Sequence, residues 1–391
     1  MPHISHLVED RDITQNDVVD IVTAAWRGTL ADVTEKLDGV NLVYTCTSNL
    51  QARAARNASD IKSGGMIGAV LEAKFTGQGL IQETFSKGFE ALRRSMLCLT
   101  LREVSKAFEN AHLWYSTEIV YTKNPNVVVY DCDTLVFHER PVFCFDGNTV
   151  ISHDSKGFTA IEAGLVDMNE STKHVGWRVL GPQKVVFPWR NDNEPLDELV
   201  QAVRGWFGGE KTLQTALTER ACADLKRFGM HEQLLFDAAL RLSEAENAPT
   251  LTVLKSRVPT QVAFMLRTSN EWVAKQIAPL ELAIVDFGVT LLSGVKPSMV
   301  ADPDSEAKRI RQKLEESLVL VKKSRNQYAI DYVAAQMTKL KDPNRIVTPV
   351  EGVVFPWKDK LYKLTGAFAP ANAILGLCRY GRGKNIPPIA G

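Results

Sequence analysis

The chain has 391 residues, a hydrophobic content of 45%, a charged content of 24% and a formal net charge of zero. That length allows two or three domains with sizeable cores, and the neutral balance excludes a globally basic nucleic-acid binder, so any polynucleotide contact must use a local patch. The six cysteines are scattered, without CxxC pairs or histidines at metal spacing, which excludes a zinc site and a disulfide framework and predicts reduced thiols in a cytoplasmic protein.

In chain order, residues 1–12 are charged and lack the apolar stretch of a signal peptide. Val18, Ile21, Val22, Ala25 and Trp26 have helical spacing, with Thr14 or Asn16 as cap. Residues 33–47 alternate on both sides of Asp38-Gly39, which predicts a hairpin with Lys36 at the end of its first strand. Taken alone, that lysine is a solvent-facing residue beside a turn. A polar stretch with Arg53 and Arg56 follows, then Ser63-Gly64-Gly65, where amides and guanidinium groups are suited to phosphate oxygens or simply to a solvated turn. Residues 66–110 carry helical spacing over two helices.

Residues 112–121 and 127–131 are aromatic and β-branched runs broken by Asn124-Pro125, and predict paired strands with Glu118 among the aromatics. An acid inside an apolar strand is costly unless it is paired or bound to metal, so Glu118 is informative. Residues 135–188 read as short strands and turns, with Asp146-Gly147 as a hairpin signal. From Pro195 to about Asp342 the pattern is helical almost throughout. The most apolar run there, 277–295, is interrupted by Pro279, Glu281, Asp286 and Gly288, which makes it a buried element and no membrane span. Strand character returns at 346–355 and 360–365. Val-Val-Phe-Pro-Trp occurs twice, at 185–189 and 353–357, too short a match for a repeat fold. The expected fold class is α+β: one discontinuous domain of residues 1–190 and 346–391, with an all-α insertion at 191–345.

Lys36 offers a nucleophile, Arg56 and Lys363 offer cations for phosphate, and Glu118 and Glu351 are two acids able to hold a divalent metal. In order and context these motifs resemble the covalent nucleotidyltransferases, the superfamily of ATP-dependent DNA and RNA ligases and mRNA capping enzymes. The string Glu35-Lys36-Leu37-Asp38-Gly39-Val40-Asn41 is most similar to RNA ligases, and also to phage proteins carrying a Thr-Glu-Lys-Leu-Asp-Gly version. The fold this implies is the ATP-grasp-like arrangement of antiparallel sheets with helices.

The resemblance implies that Lys36 becomes linked to AMP and that Glu35, Asp38, Gly39 and Asn41 lie by the nucleotide. Arg56 matches the arginine that touches ribose or phosphate, with Arg53 as its rival. Glu118 matches the acid of a Gly-Glu motif that binds the ribose, although Thr117 replaces the glycine. Tyr130 matches the aromatic that stacks on the purine. Glu351, in Glu351-Gly352-Val353-Val354, matches the acid that helps place the metal, and Lys363 the first lysine of a Lys-x-Lys pair that holds the α-phosphate. The second lysine is Thr365 here, so Lys360 is the alternative source of that charge. The implied cofactors are ATP and Mg²⁺ (or Mn²⁺), and the implied partner is RNA or a nicked duplex, RNA being favoured because only a short segment follows Thr365 and no downstream OB-fold is expected. The basic tail with Arg379, Arg382 and Lys384 is the candidate nucleic-acid contact. Arg309, Arg311, Lys313, Lys322, Lys323 and Arg325 form a basic stretch on a helix that reads as a solvated face. The seven histidines, His112 and His138 included, have no spaced partners and are expected in core or surface roles. The competing expectations are a phage structural or regulatory protein that keeps the fold as a binding module, and adenylyl transfer to an acceptor other than nucleic acid.

Overall fold

Residues 33–47 do not fold back on themselves. The computed structural model, which describes residues 4–146, 149–153, 158–227 and 269–380, places the two halves of this segment in different sheets. The first sheet has the order β1-β10-β9-β2, built from β1 (Ser5–His6), β2 (Thr34–Lys36), β9 (Gly352–Trp357) and β10 (Lys360–Thr365). β9 is antiparallel to both β2 and β10, and β1 is parallel to β10. The second sheet has the order β4-β3-β5-β6-β7, from β3 (Val40–Cys46), β4 (Ala52–Ala55), β5 (Leu113–Val120), β6 (Asp133–Asp146) and β7 (Thr149–His153). A further strand, β8 (Trp177–Leu180), runs parallel to β6.

The expected hairpin is therefore corrected to a crossing between sheets. A type I′ turn needs positive φ at both central residues, and neither Asp38 nor Gly39 has it. The Asp38 carboxylate instead accepts hydrogen bonds from the Val127 amide (2.6 Å), the Val128 amide (2.8 Å) and Asn126 Nδ2 (2.6 Å). Glu306 takes the Val129 amide at 2.7 Å. With three consecutive amides directed to side chains and the Asp131 amide to the Met299 carbonyl, residues 127–131 form no ladder, and this predicted strand is an irregular loop. β5 pairs with β6 in its place.

Twelve helices are present among the described residues. α1 (Gln15–Trp26) starts at a capping box between Thr14 and Asp17 and buries Val18, Ile21, Val22, Ala25 and Trp26, as its spacing predicts. Three helices and not two occupy residues 66–110: α3 (Gly68–Lys74), α4 (Leu80–Met96) and α5 (Leu101–Phe108), after a short α2 (Ala58–Lys62). The stretch read as strands and turns contains α6 (Phe158–Lys173), whose buried Ile161, Gly164, Met168 and Thr172 recur every three or four residues. Its hairpin signal holds, since Asp146 pairs with Thr149. The later helices are α7 (Glu194–Phe207), α8 (Leu213–Arg227), α9 (Ser269–Leu292), α10 (Pro303–Ser324), α11 (Gln327–Leu340) and α12 (Phe368–Tyr380). None of the described helices is long and apolar enough to cross a membrane.

Each sheet packs one face on helices, and the second also buries Val43, Trp114, Val120 and Val136 on its other face. The first packs Val353, Phe355, Tyr362 and Leu364 against α1, α7, α8 and α9. The second packs Leu42, Tyr44, Tyr115, Thr117, Ile119, Leu135 and Phe137 toward α4, α5 and α6. A third core joins Leu37, Val127, Val128 and Tyr130 to α10, α11 and α12. The helices of 191–345 thus share their apolar faces with the β-rich part. At about 1.5–3 kcal/mol for each fully buried large apolar side chain, this shared packing ties the Lys36 crossing to both halves of the sequence.

Candidate active site

The register of the first sheet defines its other face. Lys36 pairs with Gly352 and Gly352 with Thr365; Thr34 pairs with Val354 and Val354 with Lys363. Directly paired residues share a face, so Lys36, Thr34, Val354, Lys363 and Thr365 stand together, opposite the face that packs on α1 and α9. A Cβ on Gly352 would lie 2.4 Å from the Leu364 carbonyl oxygen and 2.9 Å from Thr365 Cγ2, so glycine is required beside Lys36.

Glu351, at the head of β9, meets Lys36 with Nζ 2.6 Å from Oε2; their side chains are 25% and 12% exposed. From the second sheet comes Glu118, placed by its pairing with Asn41. Gly39 allows this approach, because a Cβ there would lie 2.8 Å from Glu118 Cγ and 2.7 Å from the Ile119 carbonyl oxygen. His138 Nε2 is 3.6 Å from Glu118 Oε2. A groove runs between the sheets, bounded by Thr34, Val354 and Leu361 on one side and His138 on the other.

Arg56 closes the site from the end of β4. Its guanidinium donates to the Asn41 carbonyl and lies over the Phe85 ring at 4.6 Å. Burial lowers its pKa, against the pull of Glu118 and Asp60. Asn41 Nδ2 donates to Ser116 Oγ, while Asn41 Oδ1 is buried with no hydrogen-bond partner.

The charges interact strongly. Burial pushes the Glu351 carboxyl up to about 7, assisted by the Asp38 and Glu118 charges and opposed by Lys36. Burial disfavours the Lys36 ammonium, but Glu351, Glu118 and Asp38 outweigh it and raise the lysine above its ordinary range. Lys363 is lowered by burial and by the Lys36 charge, with Glu9 and Glu351 opposing. At 2.6 Å the Glu351 carboxylate is within reach of the lysine's proton, while in the ligand-free site it holds the ammonium charged. Among the described residues no group of three or more His, Cys, Asp or Glu is placed to hold a metal. Mg²⁺ commonly uses one or two carboxylates with water and phosphate, however, and the crowding of Glu351 by Asp38 and Glu118 is of the kind a divalent cation relieves.

Lys36, Glu351, Glu118, Lys363, Arg56, Gly39 and Asn41 are thus gathered as the sequence suggests. Other expected residues lie elsewhere. Glu35 alternates onto the packed face of β2, where its carboxylate accepts the Ser298 amide at 2.8 Å and burial raises its pKa. Asp38 lines the back of the crossing; burial raises it, against the Val128 and Val127 amides, Lys36 and Asn126. Tyr130 is corrected from a purine platform to a support: it is 5% exposed, within the third core, and its hydroxyl accepts the Asp38 amide at 2.8 Å. Arg379 braces the neighbouring loop through the carbonyls of Pro125 and Asn126 and through Asn124 Oδ1 at 2.7 Å. Arg382 and Lys384 lie outside the described residues. Arg53 donates to the Gly64 carbonyl at 2.8 Å. Lys360 is three residues from Lys363, on the opposite face, and pairs with Asp10 (2.8 Å) and Asp12 (3.2 Å), so it does not replace a lysine at Thr365. Arg309 and Arg311 hold the carbonyls of Val127 and Ile346. Thr117, in the glycine's place, points into the second core with its hydroxyl donating to the Leu42 carbonyl at 2.6 Å.

His138 is the residue the sequence left in a core or surface role and the structure brings to Glu118. Pairing β5 with β6 and following the alternation from Val136 would have found it. Comparison of the chain with protein-family models, with curated proteins and with solved structures gave no match.

Proposed function

We propose that the protein is a metal-dependent adenylyltransferase of the polynucleotide-ligase type, in which Lys36 takes AMP from ATP and passes it to a 5′-phosphate end that a 3′-hydroxyl then attacks. The observation that carries the reading is the Lys36–Glu351 pair at 2.6 Å, with Glu118 and Lys363 within its electrostatic reach, at the meeting of two sheets. The buried, unpartnered Asn41 Oδ1 supports it, since a hydroxyl or amine of a bound nucleotide would complete that acceptor. RNA is favoured over DNA as acceptor by the resemblance of residues 35–41 to RNA ligases.

In the first step Lys36 loses a proton to Glu351, and the neutral Nζ attacks the α-phosphorus of ATP. An N–P bond forms, the P–O bond to pyrophosphate breaks, and pyrophosphate leaves with the bond's electron pair while the second Nζ proton passes to the departing pyrophosphate or to water, leaving a phosphoramidate with one N–H. Lys363 lies on the same face to balance the charge on the phosphates. Glu118 would hold Mg²⁺ (or Mn²⁺), joined by Glu351 in its ionised form before it takes the Lys36 proton, and the ion would supply further charge neutralisation.

Incubation with α-labelled ATP and Mg²⁺ tests this. A protein band that keeps its label through denaturation and is lost in Lys36→Ala is the expected result; no labelled band with any nucleoside triphosphate rejects it. A second reading, a nucleotide-binding module without covalent chemistry, is favoured by Thr365 and by the carboxylates that hold Lys36 charged. Nucleotide binding with no adduct would select it.

A further inference from the structure

The first sheet has another neighbour along β2. The Glu35 amide donates to the Gln183 carbonyl and the Val185 amide to the Val33 carbonyl, each at 2.8 Å, and Thr34 forms an antiparallel bridge with Lys184. Bridged residues share a face. Lys184 therefore joins Thr34, Lys36, Val354 and Lys363 on one face of the sheet, of which Thr34 and Val354 line the groove. Pro182, two residues earlier, lines the groove with Thr34, Val354 and His138.

Thr365 is in line with Lys36 across Gly352, and Lys360 is held by Asp10 and Asp12 on the other face. Lys184 is the diagonal cross-strand neighbour of Lys36, a spacing of about 7–8 Å that long side chains bridge. Its side chain is 52% exposed, with Nζ 3.9 Å from Asp32 Oδ1. An exposed pair at that distance contributes about 0–1 kcal/mol, and a phosphate competes with it readily.

We propose that Lys184 is a phosphate-binding residue of the Lys36 site, holding the triphosphate of the nucleotide from the β2 edge while Lys363 holds it from β10. The inference rests on the nucleotidyl-transfer reading of Lys36. It places a positive charge beside the pyrophosphate as the P–O bond breaks, the position from which a cation favours the transition state over the ground state. The bridge to Thr34 is made by backbone atoms, so replacing the side chain leaves the segment in place.

The test is single-turnover labelling of the full chain by α-labelled ATP and Mg²⁺, comparing the unaltered protein with Lys184→Met and Lys184→Arg, with thermal unfolding of each. Lys184→Met is expected to slow labelling about 10- to 100-fold with an unchanged unfolding midpoint, and Lys184→Arg to restore most of the rate. Labelling of Lys184→Met at the unaltered rate overturns the role of Lys184 and leaves the Lys36 reading standing. Slowing that Lys184→Arg does not restore also overturns it. No labelling of the unaltered protein overturns both.

Discussion

Glu306 is a buried acid and Glu351 a partly buried one, each 2.6 Å from a cation, Arg309 in one case and Lys36 in the other. Their surroundings differ. Glu306 is saturated: Oε1 accepts from the Val129 amide and Arg309 Nη2, and Oε2 accepts from Arg309 Nε. Arg309 in turn holds the Val127 carbonyl. Glu351 faces Lys36 on one side and the repelling charges of Asp38 and Glu118 on the other, which help to lift it to about 7. Glu306 and Arg309 hold residues 127–129, the loop that Asp38 also holds. Satisfied pairing there braces the crossing, whereas the crowded, shifted groups around Glu351 belong to the side proposed to face a ligand.

Exchanging the two acids breaks or sharpens this comparison. Glu351→Gln removes the proton acceptor and is expected to slow Lys36 labelling about 10²- to 10³-fold without unfolding the chain, as single-turnover kinetics would show. Glu306→Ala should behave in the opposite sense. It leaves the Val129 amide and Arg309 without their carboxylate, costing about 2–3 kcal/mol in urea unfolding while folded protein labels at a near-normal rate. Equal kinetic losses in both variants would erase the distinction.

The pH dependence follows from the sign of the Glu351 shift. Folded Glu351 keeps its proton to about pH 7, whereas the unfolded carboxyl releases it near 4.5. The folded state therefore binds more protons in that window, and this contribution to stability is full below about pH 4.5 and is lost as pH rises to about 7. Activity moves the other way. Labelling should rise about tenfold per pH unit below 7 and level off above it, and this limb should vanish in Glu351→Gln. A smaller effect is expected at Lys360, whose exposed pairs with Asp10 and Asp12 contribute up to about 1 kcal/mol. Lys360→Met should lower the urea midpoint slightly and leave labelling unchanged. A labelling loss there would return Lys360 to the site.

The site residues were legible where the chemistry is local to a strand. Lys36, Glu118, Glu351 and Lys363 each stand in a short alternating run, and alternation alone decides which side chains share a face. The errors arose where distant groups settle local structure. Asp38-Gly39 has the composition of a hairpin turn, yet the amides of Val127 and Val128 draw the Asp38 carboxylate backward and carry the chain into the second sheet. The same bonds remove residues 127–131 from any ladder and bury Tyr130. Lys184 left no local sign at all, because its place depends on a bridge to Thr34 from far along the chain. α6 was missed despite regular spacing of Ile161, Gly164, Met168 and Thr172, since Gly164 and the small polar residues around it weaken helix propensity.

The central claim is that Lys36 carries the nucleotide. Intact-protein mass spectrometry after incubation with ATP and Mg²⁺, followed by mapping of the modified peptide, tests it most directly. The expected result is a gain of one AMP, located on Lys36, abolished by Lys36→Ala and released by acid as an N–P bond is. An unmodified mass, or AMP on a residue other than Lys36, would contradict it.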